Sequence, residues 1–216
     1  MWLSASNFDG QHAGGRAVIR GNATGLRADS IGNAVSSSGE IHVVNDSGHS
    51  AYYFDSTNSI LSARSVNTHF TFITVFRRQS AAANGRFFTA SAGNRLFGSH
   101  GDSVGRFFID QWISMSSKAS TEIEFYIATN ENGVKNMWDE ESHQQLVKNS
   151  TVGGNVWGQT VIGRPTQWPN EAAQVYLYEA LVFNYVLNAS QLAHYKLLFA
   201  NKYSTSSFFP LSLHCF

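Results

Sequence analysis

The segment 174–203 changes its hydrophobic period halfway along its length. Its first ten residues alternate with a period of two, which is typical of a β-strand, whereas the apolar residues after position 188 recur at helical spacing. This junction constrains the fold strongly, because the other patterns in the chain are those of short strands. We therefore expect an all-β protein in which one strand leads directly into a single amphipathic helix.

The residues at the junction predict where the helix begins and ends. Asn188 can cap the helix, and Gln191, three residues later, is its partner in a capping box. Leu187 is placed to pack against Leu192 as a hydrophobic staple. Lys202 suits the negative end of the helix dipole. The pattern predicts a helix from about residue 189 to residue 202.

The strand before the helix has two sets of side chains, which alternation assigns to opposite faces of a sheet. One face is predicted to carry Val175, Leu177, Glu179, Leu181 and Phe183, and the other Tyr176, Tyr178, Ala180 and Val182. Glu179 is then a single acid on an apolar face. We interpret it as a buried carboxylate that pairs with a basic side chain or with backbone N–H groups.

The rest of the chain is a series of short strand patterns separated by polar or glycine-rich turns. The segment 69–76 has apolar or β-branched residues on both faces, which indicates a central strand covered on both sides. Further predicted strands are 41–44, 51–55, 86–91, 95–100, 106–112, 122–129, 144–149 and 159–164. Regular short strands without a linker or an internal repeat predict a single β-sandwich or jelly-roll domain.

Charge and cysteine content exclude several classes of protein. Lys and Arg together number 15, as do Asp and Glu, so the basic excess of a nucleic-acid or membrane-surface binder is absent. Cys215 is the only cysteine, which rules out an internal disulfide framework and a multi-cysteine zinc site. The eight histidines show none of the paired spacings of a zinc site. No apolar stretch is long enough for membrane insertion, and the first ten residues lack the pattern of a signal peptide.

Five segments together resemble the LamG-like, concanavalin A-like jelly-roll family. They are MWLSASN (1–7), VVNDSGHSAYYFDSTNSILS (43–62), VIGRPTQWP (161–169), LYEALVFNYVLN (177–188) and SQLAHYKLLFANKY (190–203). The resemblance implies a two-sheet antiparallel jelly roll over residues 1–203 with a short C-terminal helix. The chain departs from the family pattern at two positions. Ser4 stands where the family usually has Asp, so one potential ligand near the first strand is missing. Val175 stands where the family often has Gly.

The family implies a fold more firmly than a function. Its members include glycan-binding modules, adhesin and receptor domains, spacer modules of secreted enzymes, and surface proteins of viruses and phages. For this chain we expect a non-enzymatic module that binds glycan or a surface protein, in an extracellular location or at a virion or cell surface. The alternative is a structural subunit of a virion, phage or appendage, which acts through protein–protein contacts in a homo-oligomer or larger assembly.

Two pairs of acids are candidates for catalysis and for metal binding. Glu122 and Glu124 resemble part of the acidic strand motif of laminarinase-type hydrolases, but the third acid of that motif is missing. We therefore interpret them as solvated glutamates on an exposed strand face. Asp46 and Asp102 lie in turn-like segments that each offer calcium a single carboxylate, fewer than calcium sites use. We accordingly expect no cofactor, with calcium as the less favoured alternative.

Tryptophans at loop-like positions are the candidates for sugar binding, because the C–H faces of sugars stack on aromatic rings. The predicted ligand-binding residues are Trp138, Trp157, Trp168 and the neighbouring Asn170. The alternative is that these rings fold back onto the core of the sandwich.

The C-terminal tail, residues 204–216, lies outside the pattern of the family. Its apolar residues are Phe208, Phe209, Leu211, Leu213 and Phe216. Left in water they would form a large apolar patch, so we predict that they pack either on their own domain or on a neighbouring subunit.

Overall fold

A computed structural model describes most of the chain. The described residues are 2–4, 17–20, 26–28, 34–38, 40–80, 85–100, 103–109, 111–112, 120–139, 146–149, 156–165, 167–172 and 174–203. Within these residues, no helix combines the length and the apolar character that crossing a bilayer would require.

The described residues form seventeen strands and one α-helix. In chain order they are β1 (Trp2–Ser4), β2 (Ala17–Arg20), β3 (Leu26–Ala28), β4 (Ala34–Ser38), β5 (Glu40–Asp46), β6 (His49–Asp55), β7 (Ser59–Val66), β8 (His69–Arg78), β9 (Phe88–Ala90), β10 (Arg95–His100), β11 (Ser103–Ile109), β12 (Gln111–Trp112), β13 (Ile123–Glu131), β14 (Val134–Asp139), β15 (Leu146–Asn149), β16 (Gly158–Gly163), β17 (Gln174–Phe183) and α1 (Ala189–Tyr203). A single turn of 3₁₀-helix, Pro169–Glu171, precedes β17.

The strands build two sheets. Sheet A has nine strands in the order β15-β14-β13-β8-β17-β6-β5-β2, with β1 also paired to β17. Sheet B has eight strands in the order β12-β11-β10-β9-β16-β7-β4-β3. The strand pairs within both sheets are antiparallel. The predicted all-β, two-sheet antiparallel fold with one C-terminal helix is confirmed.

Strand β8 lies at the centre of sheet A, between β13 and β17, as the pattern of residues 69–76 predicted. Phe70, Phe72 and Phe76 belong to the core between the two sheets. Ile73 and Val75 point to the other face, where they pack beneath α1. Sheet A is therefore buried on both faces along β8, and the described residues form one apolar core on each face of this sheet.

A β-bulge in β17 changes the predicted assignment of side chains to faces. The register between β17 and β8 shifts between Leu177 and Glu179, so Tyr178 is an extra residue in its strand. Val175 and Leu177, before the bulge, pack in the core between the sheets, and so do Ala180 and Val182 after it. Tyr178 and Leu181 instead pack beneath α1. The prediction of unbroken alternation is therefore wrong, because one inserted residue exchanges the two faces.

Helix α1 begins where the capping pattern predicted. The Gln191 backbone N–H donates to Asn188 Oδ1 at 2.9 Å, and the Asn188 N–H donates to Gln191 Oε1 at 3.0 Å. These reciprocal bonds satisfy two N–H groups at the helix terminus. Leu187 and Leu192 lie in the same apolar cluster, and the Leu187 N–H donates to Thr71 Oγ1 of β8 at 2.9 Å. The helix start is thus fixed both locally and by sheet A.

Candidate functional site

The outer face of sheet B carries a row of cross-strand neighbours close to its β12 edge. Leu96 pairs with Thr89 on one side and with Phe108 on the other, and Phe108 pairs with Trp112. The residues that alternate with this row along β9, β10 and β11 belong to the core between the sheets. The row therefore points away from that core. Trp112 is its exposed end, with 42% of its surface open to solvent.

Arg86, just before β9, lies at the centre of a polar cluster on this side of the molecule. Only 5% of its surface is exposed. Its Nε donates to Glu171 Oε2 at 2.5 Å, and its Nη1 donates to Asn94 Oδ1 at 2.6 Å. The guanidinium also lies over the ring of Trp168, 4.4 Å from the ring centroid, in a cation–π arrangement. Three contacts from two segments thus fix Arg86 in one position.

The connection between β16 and β17 brings Trp168 and Glu171 to this position. The Gln167 amide lies 3.5 Å from the carbonyl oxygen of Ser91, just after β9. The Arg86 N–H, just before β9, donates to the carbonyl oxygen of Glu171 at 2.5 Å. The connection is therefore held at both ends of β9 and crosses this short strand. Asn170 lies between these two residues in sequence, within the 3₁₀ turn, and is exposed to solvent.

His100, at the end of β10, joins the cluster to the exposed tryptophan. Its Nε2 lies 3.6 Å from Glu171 Oε2, and its ring centroid lies 5.3 Å from that of Trp112. The Arg106 guanidinium is 5.6 Å from the Trp112 ring. Desolvation by burial, together with the positive charges of Arg86 and Arg106, holds the pKa of His100 below its ordinary value of 6.5 despite the opposing effect of Glu171. The imidazole is therefore mostly neutral at pH 7.

We call this arrangement the Arg86 cluster. It consists of Arg86, Asn94, His100, Trp112, Trp168 and Glu171. It combines aromatic rings with hydrogen-bonding groups that are held in place, and the Glu171 side chain is 39% exposed. Thr89, in the neighbouring row, is fully buried, and its hydroxyl has no hydrogen-bond partner. Rings beside fixed polar groups form a surface that suits a ligand with both apolar and hydroxyl-bearing faces.

The predicted ligand-binding residues occupy three separate places. Trp168 and Asn170 belong to the surface around the Arg86 cluster. Trp138, in β14, lies on the other side of the sandwich beside α1, with Lys196 Nζ 5.7 Å from its ring centroid. Trp157 is fully buried between the sheets, 4.6 Å from Phe72 between ring centroids. Because a ring with no exposed face cannot stack on a sugar, the structure corrects the prediction for Trp157 to a core role.

The two glutamates considered for catalysis differ in environment. Glu124 is buried at 1% exposure and accepts a hydrogen bond from the Tyr126 hydroxyl at 2.9 Å. Glu122, just before β13, is exposed. The interpretation of both as solvated residues is therefore wrong for Glu124, whose strand turns it toward the interior.

Of the two acids that the sequence offers to calcium, the described residues include Asp46. Asp46 accepts hydrogen bonds from Arg77 Nε at 2.7 Å and from the Tyr178 hydroxyl. Asp102 lies outside the described residues. In the part of the chain that the structure describes, no group of three or more His, Cys, Asp or Glu side chains is placed to hold a metal ion.

Glu179 has the environment that the sequence predicted. It is fully buried, and its Oε1 accepts hydrogen bonds from Lys202 Nζ at 2.5 Å and from the Tyr203 hydroxyl at 2.9 Å. This confirms a buried carboxylate paired with a basic side chain. The tail residues Phe208, Phe209, Leu211, Leu213 and Phe216 lie outside the described residues, so their predicted contacts remain a prediction.

Little in the sequence points to the other members of the Arg86 cluster. Arg86 and His100 stand at the ends of predicted strands, and Trp112 ends another. None belongs to a local motif, because they become neighbours only through the pairing of β10 with β11 and the path of the β16–β17 connection. The one available signal was the sequence RPTQWPNE, residues 164–171, where a tryptophan stands between two prolines and close to an acid.

No protein-family model matches the chain, and no curated protein matches its sequence. Solved structures do share its fold. Domain 4 of AbnA, a GH43 extracellular arabinanase from Geobacillus stearothermophilus solved in complex with arabinotriose, aligns with a TM-score of 0.56 at 12% identity, over 77% of this chain and 91% of that domain. A structure of botulinum neurotoxin type C, reported for cell entry dependent on two ganglioside molecules, aligns with a TM-score of 0.55 at 12% identity over 80% of this chain.

The binding domain of botulinum neurotoxin DC in complex with SialylT also aligns, with a TM-score of 0.55 at 12% identity over 82% of this chain. This chain covers 47% and 48% of the two neurotoxin chains, about half of their length. At such low identity the likeness shows the fold alone. The chain is a two-sheet β-sandwich that shares its fold with these structures.

Proposed function

We propose that this chain is a non-catalytic binding module that takes a glycan at the Arg86 cluster. The observation that carries the proposal is the position of two tryptophans, Trp112 and Trp168, beside a fixed Arg86–Glu171 pair. A sugar has apolar C–H faces and polar hydroxyl edges, and both need partners when it leaves water. The indole rings suit the faces, and the carboxylate and amide oxygens suit the hydroxyl groups.

The Arg86 contacts give the site a fixed shape before any ligand arrives. Arg86 holds the Glu171 carboxylate on one side and supports the Trp168 ring on the other. Pre-organised groups lose less side-chain entropy on binding, which favours affinity. The Glu171 carboxylate keeps enough exposure to accept hydrogen bonds from a ligand. His100, mostly neutral at pH 7, can donate or accept a hydrogen bond at the same edge.

The carboxylates of the described residues favour binding over hydrolysis. Glycosidases of the usual type place two carboxyl groups on either side of the bond that they cleave. Among the described residues of the Arg86 cluster, Glu171 is the one acid, and it is tied to Arg86. Glu124, on β13, is held by Tyr126 in the interior.

Solved structures with this fold provide independent support. One neighbour was solved with arabinotriose, and another is described as dependent on ganglioside for cell entry. We therefore propose that the protein acts outside the cell or at a cell or virion surface, where glycans are present. The alternative role as an assembly subunit depends on residues 204–216, which lie outside the described residues, and it stays a prediction.

A glycan array followed by calorimetry tests the proposal. We expect the wild-type chain to bind at least one glycan, and Trp112→Ala and Trp168→Ala each to weaken that binding by about fivefold or more, since loss of one stacking ring removes about 1–3 kcal/mol by analogy with base stacking. Tyr185→Ala is the matched control, because Tyr185 is an exposed aromatic residue (47%) in the turn before α1. If both folded tryptophan variants bind every positive glycan as the wild type does, the Arg86 cluster is not the site.

A further inference from the structure

Sheet A continues beyond the end of α1 with a row of four paired residues. Tyr53 pairs with His42 on one side and with Tyr176 on the other, and Tyr176 pairs with Arg77. The neighbours of Tyr176 along its strand face the core between the sheets, so the row lies on the same face as α1. All four side chains are half-buried. We call His42, Tyr53, Tyr176 and Arg77 the tyrosine row.

The rings of the tyrosine row stand side by side. Tyr53 and Tyr176 are stacked, with ring centroids 5.1 Å apart and an angle of 29° between their planes. The Arg77 guanidinium lies 4.7 Å from the centroid of the Tyr176 ring. Because side chains stand roughly perpendicular to a sheet, such a stack presents outward the ring edges that carry the phenol hydroxyls. Ring edges carry partial positive charge and pack well against the faces of other aromatic rings.

Helix α1 points toward this row. It begins beside Thr71 of β8, to which Leu187 is hydrogen-bonded, and Arg77 lies further along the same strand. The helix ends at Tyr203, whose ring centroid is 5.3 Å from that of Tyr178. Tyr178 is two residues from Tyr176 on β17, about 7 Å by strand rise. The end of α1 therefore lies next to the tyrosine row.

The sequence that follows Tyr203 suits this surface. Four polar residues, STSS, span up to about 13 Å, which is enough to cross the gap to the row. Phe208 and Phe209 come next, and a phenylalanine buries about 150–250 Å² when it is covered. The segment has no Asp, Glu, Lys or Arg, which matches a row whose arginine is already paired with Asp46. We propose that residues 204–216 dock on the tyrosine row of their own chain, with Phe208 and Phe209 over the tyrosine edges.

Disulfide trapping in the full chain tests this docking, because Cys215 is the only native cysteine. Gln79→Cys places a second thiol at the margin of the row, where Gln79 is exposed and accepts a hydrogen bond from the Tyr53 hydroxyl at 3.2 Å. Leu197→Cys is the matched control, since Leu197 is 50% exposed on α1 and within reach of the same tail. A disulfide needs the two Cα atoms within about 7 Å, so its formation reports proximity.

With oxidised glutathione as the oxidant, we expect Gln79→Cys to form an intramolecular disulfide at least ten times faster than Leu197→Cys, as read from non-reducing gels and peptide mass. Equal rates would overturn the proposal. Predominant disulfide-linked dimers would also overturn it, because they would place the tail on the row of a neighbouring copy.

Tyrosine nitration gives a readout without new cysteines. In the full chain we expect Phe208→Ser combined with Phe209→Ser to increase the nitration rate of Tyr53 and Tyr176 several-fold. Tyr185, exposed at the opposite end of α1, serves as the internal reference within the same sample. If the double variant is folded and Tyr53 and Tyr176 react at the wild-type rate, the tail does not cover the row.

Discussion

Glu179 of β17 and Lys202 of α1 form an ion pair in which Oε1 and Nζ are 2.5 Å apart. The carboxylate is fully buried, whereas the Lys202 side chain is 31% exposed. The Tyr203 hydroxyl donates to the same oxygen at 2.9 Å. Desolvation by burial raises the pKa of Tyr203, and the nearby Glu179 carboxylate raises it further. These two contacts join the last turn of α1 to the bulge of sheet A.

Lys202→Met should lower the free energy of unfolding by about 1.5 kcal/mol, the lower end of the range for a hydrogen bond to a charged group, because Lys202 is partly exposed. The loss arises because the buried carboxyl group of Glu179 is left with one fewer hydrogen-bonding partner. Urea unfolding checks the value, with Glu179→Gln/Lys202→Met as the companion variant. If the double variant recovers none of the stability lost in the single variant, the two side chains are not energetically coupled.

Asn188→Ala should destabilise the protein by about 1 kcal/mol, because it removes the side-chain cap of α1. Thermal and urea unfolding measure the change, and ligand affinity should be unaffected beyond it. His194→Ala, an exposed change inside the same helix, is the control. A melting temperature for Asn188→Ala equal to that of His194→Ala would mean that the cap contributes nothing to folding.

Asp46→Asn should remove a stabilising contribution that depends on pH. Burial pushes the pKa of Asp46 up, but hydrogen bonds from Arg77 and Tyr178 outweigh that effect and hold it below 3.8. Because the folded state lowers this pKa, the stabilisation is present above pH 4 and is lost as the pH falls through the folded value. The free energy of unfolding of the variant should be about 1.5–3 kcal/mol lower at pH 7. It should also fall less steeply than that of the wild type as the pH is lowered.

The matched control for Asp46→Asn is Glu131→Gln, an exposed change in sheet A. Urea unfolding at a series of pH values from 7 to 2.5 provides the comparison. Parallel curves for the wild type and Asp46→Asn across that range would contradict the assigned role of Asp46.

His100 should make the protein less stable as the pH falls below about 6.5. Its pKa is lowered in the folded state, so the unfolded chain takes up a proton first, and stability declines from pH 6.5 down through the folded pKa. His100→Gln should flatten this part of the stability curve, whereas His194→Gln, on the exposed face of α1, should not. A slope that is unchanged in His100→Gln would show that other groups cause it.

Local patterns in the sequence predicted the parts of the fold that depend on local chemistry. The cap at Asn188 and the two-sided apolar pattern of β8 are each contained within a few residues, and the structure has both. The faces of β17 were predicted wrongly, because an extra residue at Tyr178 leaves no mark on an otherwise regular alternation. Such a bulge is defined by the partner strand, which a single stretch of sequence does not contain.

The candidate site was predicted only in part for the same reason. Trp168 and Asn170 stand out because they lie in a proline-flanked loop. Arg86 and His100 lie far from them in sequence and reach Glu171 through sheet pairing and the path of one connection. Trp157 resembled its partners in sequence yet fills the core, since a tryptophan before a strand can turn either way.

The Arg86 cluster and α1 lie on opposite sides of the sandwich. The cluster lies on the outer face of sheet B, and α1 covers the outer face of sheet A, so two layers of strands separate them. A chain that continues past Tyr203 therefore starts on the side of the sandwich opposite the cluster. An attachment made through the end of α1 would leave the Arg86 cluster on the far side of both sheets, facing away from the attached partner.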